Sequence, residues 1–456
     1  MEIKSFRLRN LGRFENIEVP LAPTESLVSN ITVFVGNNGA GKTSLLRAMA
    51  TSLSWFVARL KSEKGNGSPI PEEVILNGTP SAAIDIEVFD ERGLASNSEA
   101  DIESYLFHWR LAKSRRGKKG EFSSELSGAS KLAEWYRACL TENDNASLPL
   151  IAFYPVERVV LDIPLKIKGR HTFRQLDGYD NSLNQGVDFR RFFEWYRERE
   201  DTENESGLPQ EVLDSLLTSI DQNSDIWHRL QSLMASSRDR QLTAVRTAIS
   251  NFMPGFTNLR VRRKPRLHMS IDKEGETLNV LQLSQGEKSL MALVGDLARR
   301  LAMMNPSLEN PLHGDGVVLI DEVDMHLHPS WQRSFIHRLS DTFPNCQFVL
   351  TTHSPLVISE CKDVLIFSLD DGELSPVPSQ YGQDANTVLL DVMDTQIRNE
   401  KIDAKLKDLL DLIQERKLNE ARELCSALEA ELPIQHIELA KARLLLRKEE
   451  LRRAQD

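Results

Sequence analysis

Residues 31–44 read ITVFVGNNGAGKTS, and they carry the strongest structural signal in the chain. Residues 31–35 form a short apolar run that predicts a buried strand, and the glycine-rich turn after it matches the pattern GxxxxGK[ST]. A helical pattern then runs from Lys42 to about Leu60. A strand, a glycine-rich turn and a helix in this order predict a phosphate-binding loop, or P-loop, in an α/β fold.

The P-loop predicts how a nucleotide is held. Its residues are Gly36, Asn37, Asn38, Gly39, Ala40, Gly41, Lys42, Thr43 and Ser44. Glycines let backbone N–H groups curl around phosphates, and the N-terminus of the following helix adds partial positive charge. Lys42 is expected to reach the β- and γ-phosphates of ATP, and the Thr43 hydroxyl to hold Mg²⁺. The plain alternative, a chance match in a glycine-rich turn, is disfavoured by the flanking strand and helix.

A second signal is VVLIDE at residues 317–322. Its four apolar residues predict a buried parallel strand whose C-terminal end carries two carboxylates, where open α/β sheets bind ligands. Asp321 is expected to orient Mg²⁺, and Glu322 to act as the general base on the water that attacks the γ-phosphate. The motif is weak alone and strong when a P-loop accompanies it.

Two further segments complete the pattern. Residues 283–290, LSQGEKSL, place Ser284, Gly286 and Glu287 at the predicted start of a helix. Ser284 and Glu287 also read as an ordinary capping box, and both interpretations can hold because the motif is itself a helix N-terminus. His353 follows a predicted strand at 346–351; a lone histidine is more often structural, but its place in this order indicates the nucleotide site.

Together these motifs resemble the ABC-ATPase superfamily, in which LSGGQ is the signature and a histidine at the place of His353 contacts the γ-phosphate. The wide gap between P-loop and signature, with the opening NLGRFENIEV, is similar to the branch of RecF, SMC-like and OLD ATPases. That resemblance implies Arg13 and Phe14 near the adenine. The HLHP segment departs from SMC-type proteins, and His326 with His328 is expected to form a polar turn rather than a metal pair.

A closer resemblance covers nearly the whole chain. FVGNNGAGKTSLL, DFRRFFEWYREREDTENE and LIDEVDMHLHPSWQR are similar to the PtuA family, the ATPases of Septu anti-phage systems and of a related retron class. It implies a Mg²⁺-dependent ATPase that binds ATP between Gly36–Ser44 of one subunit and Ser284–Glu287 of another. It also implies a homodimer or higher homo-oligomer and a partner HNH nuclease similar to PtuB. A cytoplasmic location is expected separately, from the dispersed cysteines and the lack of a long apolar run.

The expected fold class is α/β: a two-lobed ABC-ATPase head with an inserted helical arm and a helical C-terminal appendage. We predict lobe I at 1–160, the helical insert at 161–257, lobe II at 258–396 and the appendage at 397–456. No arrangement typical of a nuclease is found; only Asp370 and Asp371 resemble part of a Toprim acidic cluster. Two alternatives stay open: a stand-alone RecF- or OLD-like DNA-repair ATPase, and an ATP-binding scaffold with little turnover.

Composition limits the partners. The 456 residues carry 56 basic and 67 acidic side chains, a net charge of −11, so any contact with DNA must use a local patch. One basic cluster is expected along a single strand: Arg260, Arg262, Arg263, Lys264 and Arg266. A second, with Arg115 and Arg116, is expected to be a solvated loop. Four dispersed cysteines indicate a reducing compartment, and no apolar run is long enough to span a membrane.

The appendage is predicted to contain three helices. Ile402, Leu406, Leu409 and Ile413 share one face of the first. Ile437, Ala440, Leu444 and Leu451 are expected to form the apolar stripe of the last, with basic residues around it. Two interpretations are open for these helices: a local helical cap, or a surface that docks an acidic partner.

Overall fold

The computed structural model describes residues 1–91, 105–156, 173–184, 187–206, 238–264, 266–393, 395, 398–433 and 435–453. It divides the chain into two compact units, Met1–Ala385 and Asn386–Asp456. The finer boundaries after residues 160, 257 and 396 stay predictions. Most of the predicted turn at 91–100, and residues 161–172 and 209–237 of the predicted insert, lie outside the described residues.

Thirteen strands are described, in chain order: β1 Glu2–Leu11, β2 Phe14–Pro20, β3 Ile31–Val35, β4 Ser81–Phe89, β5 Leu106–Ser114, β6 Leu150–Tyr154, β7 Phe256–Arg262, β8 His268–Lys273, β9 Glu276–Asn279, β10 Gly316–Ile320, β11 Cys346–Thr351, β12 Leu365–Asp370 and β13 Glu373–Val377. The described α-helices are α1 Lys42–Lys61, α2 Ser127–Glu142, α3 Phe189–Ser206, α4 Arg240–Phe252, α5 Gln285–Met304, α6 Pro329–Thr342, α7 Pro355–Ile358, α8 Ala385–Asp391, α9 Glu400–Gln414, α10 Leu418–Glu431 and α11 Ile437–Arg453.

A six-stranded sheet forms the centre of the larger unit, in the order β13-β12-β3-β11-β10-β6. All neighbours are parallel except β12 and β13. Every residue of β3, β6, β10 and β11 is buried, which agrees with the mostly apolar sequences of these strands. Strands from both ends of the chain thus share one core and bring the P-loop and the acidic strand to one sheet.

A second, antiparallel sheet has the order β2-β1-β4-β5. Buried and more exposed residues alternate along β2 and β5, as expected for a sheet with one face toward the core.

In the predicted basic loop, the Arg115 guanidinium donates to the carbonyls of Thr79 and Ile75, at 3.1 and 2.7 Å. Arg115 therefore holds a neighbouring loop together.

Helix α5 is buried from Ser289 to Met304 and contains a charged cluster. Asp296 accepts hydrogen bonds from Arg299, Arg300 and the hydroxyl of Tyr154, the last at 2.9 Å. All four side chains are buried, so each depends on its partners for stability. Burial raises the pKa of Tyr154 well above its ordinary value, and the nearby Asp296 carboxylate adds to this effect. The cluster links α5 to the C-terminal end of β6.

The predicted β-hairpin at 258–283 is a three-stranded sheet, β7-β8-β9. The predicted turn at 273–275 does connect β8 and β9, with Glu274 and Gly275 in left-handed conformations. The prediction that five basic residues lie along one strand was wrong: β7 ends at Arg262, and Arg263, Lys264 and Arg266 follow it. The alternating pattern could not show where pairing with β8 stops, because that depends on the partner strand.

In the smaller unit, α9, α10 and α11 pack on one another around a shared core. The core contains Leu406, Leu409 and Ile413 of α9, as predicted. The stripe predicted for α11 was wrong: Leu439, Ala442 and Leu446 are buried, whereas Ile437, Leu444 and Leu451 are exposed. Both sets have helical spacing, and packing against α9 and α10 decided between them.

Within the described residues, none of the helices combines the length and the apolar character that crossing a membrane requires.

Candidate nucleotide-binding site

The motifs found in the sequence meet at the C-terminal edge of the six-stranded sheet. Parallel pairing aligns Val35 with Ser368, and Ile320 with Leu350. The P-loop, the carboxylates after β10 and the histidine after β11 therefore leave the sheet at the same edge. β11 lies between β3 and β10, so the P-loop strand and the acidic strand are not neighbours. An edge built in this way is where ligands bind in parallel α/β sheets.

The P-loop needs its glycines for space and for backbone conformation. Gly36 has φ +146°, and a Cβ placed there would lie 2.2 Å from the carbonyl oxygen of Leu369. Gly41, with φ +106°, precedes the first residue of α1, and its Cβ would lie 2.7 Å from the Phe14 ring. A side chain at either position would collide with a fixed neighbour. The predicted loop conformation is thus supported by the residues that surround it.

Lys42 is the first residue of α1, and it is 6% exposed. Its ammonium donates to the carbonyls of Gly36 and Asn37, at 2.7 and 3.0 Å, so it folds back over the loop. Burial lowers the pKa of Lys42, while the carboxylates of Glu322, Asp321 and Asp324 act in the opposite direction. These interactions place the cation and the acidic loop in one electrostatic environment. Phosphate oxygens could replace the two carbonyls as acceptors.

Thr351, the last residue of β11, connects the two predicted carboxylates. Its hydroxyl donates to Asp321 Oδ1 at 2.6 Å and accepts from the backbone N–H of Glu322 at 2.8 Å. Asp321 is completely buried, and Glu322 has an unusual left-handed backbone, with φ +45°. One hydroxyl thus positions both the expected metal ligand and the expected base. Thr351 stands two residues before His353 in the sequence, but the motif analysis gave it no role.

Asp324 was also missed, and it positions the loop that carries His353. Its Oδ1 accepts from the Thr352 hydroxyl at 2.5 Å and from the backbone N–H of His353 at 3.2 Å. Burial and the nearby Lys42 ammonium lower the pKa of His353, against the raising effect of Asp324, Glu322 and Asp321. The lowered pKa favours the neutral imidazole, which can donate one hydrogen bond.

The signature segment is a helix N-terminus, as both interpretations required. The Ser284 hydroxyl accepts from the Glu287 N–H at 3.4 Å, and Glu287 Oε2 accepts from the Ser284 N–H at 2.8 Å. Lys273 of β8 donates to Glu287 at 2.7 Å. Burial opposes ionisation of Glu287, but the hydrogen bonds from Lys273 and Ser284 outweigh it and lower the pKa. Ser284 itself is exposed.

The signature also touches the loop that follows the acidic pair. A Cβ placed on Gly286 would lie 2.3 Å from the carbonyl oxygen of His326. The nearby His328 is the N-cap of α6, and its ring nitrogen accepts from the Ser330 N–H at 3.3 Å. This geometry gives His328 a structural role, in agreement with the predicted polar turn.

A cavity of about 690 Å³ adjoins the P-loop. Its lining includes Gly12, Ser44, Arg47, Thr51 and Ile70. Next to it, Phe14 packs under Gly41, and Arg13 Nη1 lies 3.3 Å from Asp371. The predicted pair Arg13 and Phe14 is thus placed beside the P-loop. A partly apolar cavity with a few polar groups has the chemistry that a nucleoside needs.

Residues 31–359 match the family model described as "AAA domain, putative AbiEii toxin, Type IV TA system". The chain belongs to this AAA family. The match includes the P-loop, the signature, the acidic pair and His353, so the predicted α/β ATPase fold is confirmed.

Two relatives of this AAA-family chain match along most of their length. "Retron Vc95 probable ATPase" of Vibrio cholerae serotype O1 biovar El Tor is 31% identical over 443 residues, covering 90% of this chain and 84% of the relative. "Retron Ec83 probable ATPase" of Escherichia coli is 34% identical over 414 residues, covering 83% and 73%. "Septu protein PtuA" of Bacillus mycoides (strain KBAB4) is 36% identical over 106 residues, covering 22% of this chain and 14% of the relative. The resemblance to PtuA-like ATPases is confirmed.

The site of this AAA-family chain also fits a hard divalent cation. Mg²⁺ prefers oxygen ligands and is usually bound by one or two carboxylates together with substrate phosphates. The buried carboxylate of Asp321, with Oδ1 oriented by Thr351, supplies such a ligand, and the Thr43 hydroxyl at the start of α1 supplies another. The residues present therefore match the group that an ATPase of this kind uses.

Proposed function

We propose that this chain is a Mg²⁺-dependent ATPase that acts as the sensor or regulator subunit of an anti-phage defence complex. The convergence of Lys42, Glu322 and His353 at one sheet edge carries the ATPase part of the proposal. The relatives named as retron ATPases and as Septu PtuA support the defence part.

Each residue has a role in hydrolysis that follows from its position. Backbone N–H groups of Gly36–Gly41 and the Lys42 ammonium bind the β- and γ-phosphates, with Ser44 closing the loop. The Glu322 carboxylate accepts a proton from the attacking water, and the neutral imidazole of His353 donates to a γ-phosphate oxygen. Asp321 and Thr43 would hold Mg²⁺, which neutralises phosphate charge when bound. The cavity beside Gly12 and Ser44 would take the base and ribose.

The site is proposed to be completed by a second copy of the chain. Ser284, Gly286 and Glu287 would meet the γ-phosphate bound at the P-loop of the other copy, making a two-fold dimer with two composite sites. The exposed Ser284 at the N-terminus of α5 supports this, because a helix N-terminus carries partial positive charge that attracts an anion. ATP binding would close the dimer, and hydrolysis would open it.

The two states of the dimer would control a partner nuclease of the HNH kind, as the PtuA resemblance implies. We extend the proposal to DNA contact through the exposed side chains of Arg262, Lys264 and Arg266. Arg263 is less available, because it forms an ion pair with Asp201 of α3. Arg260 is half-buried on β7.

Glu322→Gln tests the catalytic assignment. The amide cannot accept the proton of the attacking water, so ATP turnover should fall about 10²–10⁴-fold while ATP binding is kept. Phosphate release and isothermal calorimetry measure the two quantities. Lys42→Ala is the companion variant and should lose binding, since each charge-assisted contact is worth about 1.5–3 kcal/mol. Negligible turnover by the wild type, unchanged in Glu322→Gln, would indicate an ATP-binding scaffold instead.

A further inference from the structure

Helix α11 carries two apolar faces, and only one of them is covered. Leu439, Ala442 and Leu446 are buried in the core shared with α9 and α10. On the other side Ile437 is 69% exposed, Leu444 70% and Leu451 60%. Leu445, at 45%, lies next to them. Four large apolar side chains in water on a single helix are unusual for a surface without a partner.

The exposed residues are arranged for a second helix. Ile437, Leu444 and Leu451 follow one another at intervals of seven, so they form a line along α11. With a rise of about 1.5 Å per residue, this line is about 21 Å long. Residues seven apart lie on one side of a helix in such a pairing, so a partner helix can pack along this line. We call this line the outer seam of α11.

The outer seam is flanked by cations. Lys441 lies between its first two residues, and Arg447 and Lys448 lie between its last two. Lys441 forms an ion pair with Glu438 at 3.2 Å. Among the described residues, neither Arg447 nor Lys448 forms an ion pair. Both are exposed. A partner that covers Leu444 and Leu451 must therefore also meet two unneutralised positive charges.

A second copy of α11 fits this seam poorly. In an antiparallel pair centred on Leu444, Lys441 of each copy faces Arg447 of the other. In a parallel pair, Arg447 faces Arg447 across the seam. Both arrangements place like charges opposite each other, which disfavours self-association. A partner helix with carboxylates at the facing positions would instead place opposite charges across from Lys441 and Arg447.

We propose that the outer seam of α11 is a docking site for an acidic amphipathic helix of a different protein. The partner's apolar stripe would cover Ile437, Leu444 and Leu451, and its carboxylates would pair with Arg447 and Lys448. This surface belongs to the unit Asn386–Asp456 and contains no residue of the nucleotide site, so the inference goes beyond the ATPase function and does not depend on it.

The test uses the full chain and a synthetic probe. The probe is a helical peptide of about three heptads with Ile and Leu at positions a and d and Glu at e and g. Fluorescence anisotropy should show binding that weakens as salt is added. Leu444→Glu, and separately the double variant Arg447→Glu with Lys448→Glu, should each weaken binding about tenfold or more. Leu390→Glu, at an exposed leucine outside α11, is the matched control and should bind as the wild type does.

A charge swap distinguishes docking from damage to the fold. A peptide with Lys at e and g should fail to bind the wild type and should bind the double Glu variant. Point variants are preferred to a deletion of residues 434–456, because a deletion would also remove the buried Leu439 and Leu446. Wild-type ATP turnover in Leu444→Glu would show that the seam is separate from catalysis.

Two results would overturn the proposal. One is no binding of the acidic peptide, or binding that Leu444→Glu leaves unchanged. The other is a molar mass, measured by light scattering without peptide, that falls on Leu444→Glu. That result would assign the seam to a second copy of the chain.

Discussion

The nucleotide site depends on individual side chains whose roles the motifs do not reveal. Thr351 is such a residue, because one hydroxyl contacts both Asp321 and the backbone of Glu322. Glu322 has a left-handed backbone that costs free energy, so the contacts around it must hold it in place. Thr351 therefore acts as a positioning residue for the proposed metal ligand and base.

Thr351→Val should keep the shape of the side chain and remove both hydrogen bonds. We expect the turnover number to fall about tenfold or more while the affinity for ATP changes little, since Lys42 and the P-loop are untouched. Thr351→Ser keeps the hydroxyl and should restore most of the turnover. Steady-state kinetics with both variants measures this. Equal losses of turnover in Thr351→Val and Thr351→Ser would contradict a role for the hydroxyl.

The lowered pKa of His353 predicts that the stability of the fold depends on pH. Because its pKa is lowered in the folded chain, the unfolded chain binds a proton at a pH where folded His353 does not. The free energy of unfolding should therefore fall as the pH drops below about 6.5, the ordinary pKa of histidine, and through the lower pKa of folded His353. Thermal unfolding at about pH 7.5 and 5.5 measures the loss, which His353→Gln should reduce. The same loss in both proteins would exclude His353 as its source.

At the scale of elements, the start of α5 and the loop after β10 act as one unit. Gly286 lies so close to His326 that a methyl group cannot fit without moving one of them. That loop also carries Glu322 and Asp324. The signature is therefore connected within the chain to the residues expected to hydrolyse ATP, a relation that the linear motifs do not show.

Gly286→Ala should destabilise the chain by about 1–3 kcal/mol, the usual effect of overpacking. Turnover should also fall, because the loop that bears Glu322 must shift. Gln285→Ala is the matched control, since Gln285 is exposed on the same first turn. Denaturant unfolding and phosphate release measure the two effects. Wild-type stability in Gly286→Ala would show that the contact with His326 yields easily.

At the scale of the whole molecule, the proposed dimer makes each ATP site depend on two chains. A Lys42→Ala chain should not bind phosphate at its own P-loop, and a Ser284→Ala chain lacks the signature hydroxyl. Mixed together, the two inactive variants should form one intact composite site and recover part of the turnover. Phosphate release by the mixture checks this. Inactivity despite proven subunit exchange would exclude a site shared across the dimer.

The local chemistry of this protein could be predicted from its amino-acid sequence. The P-loop, the capping box at Ser284 and the carboxylates after β10 were predictable, because each depends on neighbours within a few residues. The buried parallel strands were predictable for a related reason. A strand covered on both faces is mostly apolar, and such runs are visible without a structure.

Which distant parts of the chain meet became visible in the three-dimensional fold. It placed β11 between β3 and β10, and so gave Thr351 and Asp324 their roles. It ended β7 at Arg262, and it chose the covered face of α11. Two stripes on α11 have equal helical spacing, so periodicity could not rank them. The free energy that ranks them comes from contacts with α9 and α10, and such long-range packing leaves no local pattern in the chain.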